Sequence, residues 1–348
     1  MRVALIAPPF ISVPPKKYGG TELFIAELAH GLQRQGVDVI VYTNGESIVD
    51  APRRWIYPKG EWPLQHDVEA SLKGLNHFAW AIREAAEEAD LIHVNSAPGI
   101  SFSRFTNVPM VHTVHHAFDP SLAEFYQSYP DVSYVTISNF QRGKLSMPDM
   151  RTIHHGIDPA IYPMLDGKRE HLSFLGRIAP DKGTHLAIEI ARKSGIPLKI
   201  AGEVQPINRD YWETIVKPQV DGRFIEYVGE VGMKEKVELL GKSRAMLFPV
   251  QWDEPFGLVM IEAMACGTPV LAMPGGSVCE VIKEGVSGNV RKTTAELAEC
   301  ARNLNFPASI VRGFMEESFS VERMTQEYIR LYSEILRDGV VEREQIVA

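Results

Sequence analysis

Short apolar runs alternate with amphipathic stretches along most of the chain. The opening Met1-Arg2-Val3-Ala4-Leu5-Ile6-Ala7-Pro8-Pro9 reads as a buried first strand. Ile11 to Gly20 is a loop rich in Pro and Gly, after which Phe24, Leu28 and Leu32 recur at i, i+4 and i+8 until Gly36 stops a helix. Val37–Tyr42 is the next strand, so the order is strand, helix, strand, the unit from which parallel sheets are built. The same pattern predicts strands at Leu91–Asn95, Pro109–His115, Tyr134–Ser138 and Thr152–His154, with helices between them, one over Asn76–Ala89.

Residues 156–170 change character to a turn-rich polar stretch suited to a linker. Beyond it the alternation resumes, with strands predicted at Ser173–Leu175, Leu198–Ala201, Phe224–Val228, Ala245–Pro249 and Pro269–Ala272. Helices are predicted over Thr184–Lys193 and Lys234–Ser243, and a last one over Val321–Leu336 from the spacing of Met324, Tyr328, Leu331 and Ile335. The expected architecture is α/β, with two Rossmann-like, doubly wound parallel-sheet domains, residues 1–160 and 165–324. Ligands of such folds bind outside the carboxyl ends of the strands, so a cleft faced by both domains is expected. The C-terminal helix, about 325–348, is open to packing on either domain, the first included.

Composition narrows the function classes. The chain has 348 residues, long enough for two cores, and its 36 Lys and Arg against 44 Asp and Glu give a net charge of −8, which argues against a broad nucleic-acid footprint. Three cysteines, Cys266, Cys279 and Cys300, lack C-x-x-C spacing, so neither a disulfide framework nor a zinc site is expected. No apolar run approaches the length needed to span a bilayer, and a cytoplasmic location is expected.

The most informative stretch runs from Glu254 to Val270. Pro255 and Gly257 mark a tight loop, and Leu258–Ala265 reads as a helix stopped at Gly267. Backbone N–H groups of Phe256, Gly257 and Leu258 would then face an anion at a helix N-terminus. Glu254 before that helix and Glu262 on it suit the hydroxyls of a sugar joined to a diphosphate. Spacing alone leaves a second reading open, in which Glu254 only complements the helix dipole and Glu262 is solvated.

This string resembles the E-x-seven-E signature of retaining glycosyltransferases of family four, which have the GT-B fold. Four further stretches resemble that family in the right order: Tyr18-Gly19-Gly20-Thr21-Glu22; His155-Gly156-Ile157-Asp158; Phe174-Leu175-Gly176-Arg177 with Lys182-Gly183; and Gly275-Gly276 followed by Glu280. The resemblance implies that Arg177 and Lys182 contact the donor diphosphate, Glu254 the donor sugar and Glu262 the ribose. It also implies that Phe256, Gly257 and Leu258 touch sugar or phosphate through backbone, that Gly19 and Gly20 let the first loop approach the phosphates, and that the base rests near Val228, Gly229 and Glu230. The catalytic set it implies is His115, Arg177, Lys182 and Glu254, with His116 the alternative to His115. Ala201-Gly202-Glu203 departs from the pattern, since many relatives carry a second small residue there.

Cations aimed at a departing diphosphate fit this chemistry, because negative charge develops on the leaving group as the glycosyl bond breaks. No Asp-x-Asp occurs in the chain, and His112 and His115 fall on opposite faces of a strand, so a metal-independent reaction without cofactor is expected. The resemblance implies transfer of a hexosyl group from a UDP- or GDP-sugar to the hydroxyl of a small-molecule, lipid-linked or glycan acceptor, with retention. Two other readings stay open: a nucleotide-sugar binding protein without turnover, and a sugar epimerase or phosphorylase on a related fold. Lys16, Lys17, Arg53, Arg54, Trp55 and Trp62 are candidates for peripheral contact with a membrane surface, and Ser47–Asp67 and Ala117–Pro130 for acceptor loops.

Overall fold

Parallel pairing dominates both halves of the chain. A computed structural model describes residues 1–17, 19–62, 64, 67–147 and 149–347. It divides into two units, one of Met1–Pro15, Gly19–Gly156 and Val321–Ala348, the other of Lys16–Tyr18 and Ile157–Ser320.

In the first unit the elements are β1 (Arg2–Ile6), α1 (Gly20–Arg34), β2 (Asp38–Tyr42), β3 (Arg53–Arg54), α2 (Asp67–Glu88), β4 (Leu91–Val94), α3 (Ala97–Ile100), β5 (Met110–Val114), α4 (Pro120–Gln127), β6 (Ser133–Thr136), α5 (Asn139–Lys144) and β7 (Met150–Thr152). The seven strands are all parallel, in the order β3-β2-β1-β4-β5-β6-β7. Every residue of β4 and β5 is buried, as strands covered on both faces must be.

The strands stop earlier than the apolar runs suggest. β5 ends at Val114, leaving His115 as the first residue beyond it. β6 ends at Thr136, and the Ser138 hydroxyl instead accepts from the Gln141 N–H as the N-cap of α5. β7 covers Met150–Thr152 rather than Thr152–His154, because its partner β6 ends at Thr136.

The second unit contains β8 (His171–Leu175), α6 (Thr184–Ser194), β9 (Leu198–Ala201), α7 (Arg209–Tyr211), β10 (Ile225–Gly229), α8 (Met233–Gly241), β11 (Ser243–Phe248), α9 (Leu258–Ala265), β12 (Val270–Ala272), α10 (Val278–Val281), β13 (Gly288–Val290), α11 (Thr294–Arg302) and α12 (Ala308–Phe319). Its six parallel strands run β10-β9-β8-β11-β12-β13. Leu172, Phe174, Ile200, Ala245 and Leu247 from the strands pack against Ala187, Ile188 and Ala191 of α6.

The final helix, α13 (Val321–Val347), belongs to the first unit, where Val321, Met324, Tyr328, Leu331 and Tyr332 join the core with Phe24 and Leu28. Its tyrosines also satisfy polar groups inside the sheet. Tyr332 Oη is 2.7 Å from Nδ1 of buried His93, whose Nε2 is 2.8 Å from Thr113 Oγ1, and Thr113 in turn bonds Tyr328 Oη. Buried polar groups paired in this way do not carry the penalty of lost hydration.

Candidate active site

Strand order in the second sheet reverses direction of growth at β8 and β11, which lie side by side. Loops leaving the carboxyl ends of two such strands form the crevice where open α/β sheets bind ligands. The loop after β8 carries Arg177 and Lys182, and the loop after β11 carries Glu254. Backbone contacts hold the two loops together: the Gln251 N–H donates to the Asp181 carbonyl at 2.7 Å. Gly183, at φ 74°, leaves room for the Pro249 carbonyl, which a Cβ would meet at 2.0 Å.

Lys182 ends a single 3-10 turn, Pro180–Lys182, and reaches Glu254, with Nζ to Oε2 at 2.7 Å. Trp252 Nε1 donates to the same oxygen at 2.9 Å, and its ring lies 4.2 Å from the Lys182 ammonium. The dipole-only reading of Glu254 is therefore incomplete, since the carboxylate is held in a fixed ion pair. Glu254 backbone packs on the next loop: the Ser277 N–H donates to its carbonyl, and a Cβ on Gly276, at φ 60°, would stand 2.1 Å from that same oxygen.

Gly257, at φ 83°, starts α9 and has no side-chain cap. Among the described residues the N–H groups of Gly257 and Leu258 find no hydrogen-bond acceptor, so the helix end presents two donors and its positive dipole. Phe256 is buried and contributes backbone and core packing rather than an exposed ring.

Arg177 is held loosely. Nη1 is 3.4 Å from Gln205 Oε1, Nη2 is 4.0 Å from Asp181 Oδ2, and Nε is sealed from solvent without a hydrogen-bond partner. A guanidinium with unused donors is suited to an anion. The ends of β8, β9 and β10 run side by side, with Gly176 N–H donating to Ala201 and Gly202 N–H to Gly229. This aligns Val228 and Gly229 with the start of the Arg177 loop, and only glycine fits at 202, where a Cβ would lie 1.7 Å from the Gly176 carbonyl. Glu230 sits beyond, 3.7 Å from Lys17.

Glu262 on α9 is the least solvated of these acids, contrary to the solvated reading, with its side chain 2% exposed. Its Oε1 accepts from Lys236 Nζ at 2.6 Å and from Tyr162 Oη at 2.8 Å. Trp252, Lys236 and Tyr162 escaped the sequence reading. Trp252 stands two residues before Glu254 and was open to inference, whereas Lys236 and Tyr162 meet Glu262 only through the tertiary fold.

Gly19, Gly20 and His115 belong to the first unit. Tyr18 lies outside the described residues, as do parts of the 47–67 loop. Gly19 precedes α1 at φ 153°, and a Cβ there would crowd Pro15 and the Glu22 carboxylate. Glu22 is buried, and desolvation raises its carboxyl to about 7. His115 Nε2 is 2.9 Å from Asn95 Oδ1, and its ring stacks on His155 at 5.6 Å. Burial, then the neighbouring His155, keep His115 neutral by lowering its pKa well below the usual histidine value. His116 instead bonds Tyr126 Oη and the Ala117 carbonyl, which ties it to α4. Among the described residues no three His, Cys, Asp or Glu side chains gather as a metal set, and no helix is long and apolar enough to cross a membrane.

Known proteins are similar to this chain in sequence and in fold. The chain is 26% identical over 335 residues to the D-inositol 3-phosphate glycosyltransferase of Mycolicibacterium smegmatis, covering 78% of this chain and 74% of that protein. It is 27% identical over 352 residues to the enzyme of that description from Gordonia bronchialis, covering 82% and 76%. A crystal structure of a glycosyltransferase involved in avilamycin A biosynthesis has the same fold, with a TM-score of 0.77 at 24% identity over 97% of this chain and 98% of that one. So does Anabaena HepE in complex with UDP-glucose, at a TM-score of 0.74 and 18% identity over 96% and 100%. Residues 18–161 match the family model for Glycosyltransferase Family 4, and 163–305 match that for Glycosyl transferases group 1. The chain belongs to the family-four glycosyltransferases of GT-B fold.

Proposed function

We propose that this glycosyltransferase moves a hexosyl group from a nucleoside diphosphate sugar to an acceptor hydroxyl, with retention and without a metal ion. The observation that carries the reading is the pairing of Glu254 with Lys182 beside the uncapped start of α9. Arg177 and Lys182 supply positive charge to the diphosphate, and the Gly257 and Leu258 N–H groups add fixed donors. Such preorganised charge stabilises the leaving group as its bond breaks, the work a divalent cation does elsewhere. Glu254 orients the sugar through its hydroxyls, and Glu262 takes the ribose. The base lies along Val228, Gly229 and Glu230.

Retention follows from attack on the face the phosphate leaves, where a phosphate oxygen takes the acceptor proton, so neither glutamate is a nucleophile. Neutral His115, with Asn95 fixing its ring, serves as a hydrogen-bonding partner of the sugar rather than as a cation. The HepE complexes with UDP and with UDP-glucose support a nucleotide-sugar donor by likeness of fold. Proton NMR of the product formed from an α-linked donor tests the reading: an α-linked product is expected, and a β-linked one would refute retention.

A further inference from the structure

Both partners of Glu262 bind one oxygen. Lys236 Nζ and Tyr162 Oη meet Oε1 at 2.6 and 2.8 Å, while Oε2 makes no hydrogen bond among the described residues. An ionised carboxylate offers about four lone-pair sites over its two oxygens, and here both protein donors share one oxygen and leave the other to be used. We infer that Lys236 and Tyr162 are positioning residues, which grip Glu262 by Oε1 so that Oε2 is turned toward the ribose hydroxyls of the donor nucleotide.

The grip is built from separate parts of the second unit. Lys236 projects from α8. Tyr162 follows the turn Pro159–Ile161, which is capped by the Asp158 carboxylate accepting from the Ala160 N–H. Arg312 then ties that turn to the far end of α9, donating to the carbonyls of Tyr162, Pro159 and Ala265. The side chain of Glu262 is thereby fixed against the helix that carries it. Lys236 also offsets the repulsion between a carboxylate and a nearby diphosphate. Glu254 has the same asymmetry, with Lys182 and Trp252 both on Oε2 and, among the described residues, no hydrogen bond to Oε1. Each signature acid thus keeps one oxygen for a ligand.

The inference rests on the donor reading above, and the test separates the two. Isothermal titration measures binding of UDP, GDP and their dideoxyribose analogues to the wild-type protein and to Lys236→Met, Lys236→Arg and Tyr162→Phe. Wild type is expected to prefer one ribonucleotide to its analogue by about tenfold or more, the range for a hydrogen bond to a charged group. Lys236→Met and Tyr162→Phe should lose most of that preference while binding the analogue unchanged, and Lys236→Arg should recover it. Equal weakening of both nucleotides, or an undiminished preference in folded Lys236→Met and Tyr162→Phe, would overturn the positioning role while leaving the donor reading intact. Should Lys236→Met not fold, the Tyr162→Phe and Lys236→Arg results decide. Wild type binding neither UDP nor GDP at millimolar concentration would overturn the donor reading and, with it, the inference.

Discussion

Lys182 and Glu254 stand 72 positions apart in sequence and 2.7 Å apart in space, with their side chains only 14% and 10% exposed. Removing the charge from one member leaves the other poorly compensated, which is more damaging than loss of a surface pair. Glu254→Gln should lower glycosyl transfer by more than about tenfold, since a charge-assisted hydrogen bond is worth roughly 1.5–3 kcal/mol. The circular dichroism spectrum should not change. Turnover equal to wild type would take Glu254 out of the site.

In the proposed reaction, positive charge for the leaving diphosphate comes from Arg177, Lys182 and the start of α9. Transfer should therefore persist in excess EDTA after exhaustive dialysis. Abolition with recovery on adding magnesium would show that these groups do not suffice.

Glu22 ties stability to pH. Burial raises its carboxyl to about 7, above the value of 4.5 for the exposed group. The folded chain therefore holds a proton that the unfolded chain has released, and this contribution to stability is lost as pH rises from about 4.5 through 7. Glu22→Gln, neutral throughout, should gain stability over wild type by about 2–3 kcal/mol more at pH 8 than at pH 5, as the size of the shift implies. Urea melts at the two values measure it, and an equal difference at both would show that Glu22 does not titrate in this window. Buried His77, His93, His112 and His155 act oppositely, being lowered by desolvation to between about 3 and 4, so stability falls as pH drops below the ordinary histidine range. Both variants of the comparison share that trend, and it cancels.

The parallel sheets were legible because Val3–Ile6, Val39–Tyr42 and Ala245–Phe248 are apolar runs separated by helical periods. Two of the edge strands were not: Arg53–Arg54 is two residues long and charged, and Gly288-Asn289-Val290 has no apolar pattern. His93 and Thr113 look polar in sequence and are core residues, a reversal made possible by Tyr328 and Tyr332 arriving from a helix more than two hundred positions away. The site divides in the same way. Arg177, Lys182, Glu254 and Glu262 sit in motifs whose spacing reflects local loops and helix starts. Lys236, Tyr162 and Arg312 hold those residues in place across the fold, and no local spacing records such contacts. His115 was placed at a strand end, and it stands one residue past β5, where Asn95 from the neighbouring strand end orients it.

Gly31 marks where α1 meets α13. A Cβ at this position would lie 2.1 Å from Thr325 Oγ1 and 3.1 Å from Val321 Cγ2, both on α13. Thr325 is buried and branched at Cβ, so it has little room to yield. Gly31→Ala should destabilise the protein by about 1–3 kcal/mol, the usual range for overpacking. Thr325→Ala in the same chain should restore part of the loss in a thermal melt, and the absence of any loss in Gly31→Ala would show that the helices can separate freely.

The most direct measurement is release of nucleoside diphosphate from a panel of UDP- and GDP-sugars by the wild-type protein beside Lys182→Met. Slow hydrolysis of one donor, reduced at least about tenfold in the variant, is the expected result for a charge-assisted contact to the leaving group. Release from that donor at equal rates by both proteins, or from none of them by the wild type, would contradict a site in which Lys182 and Glu254 act on a nucleotide sugar.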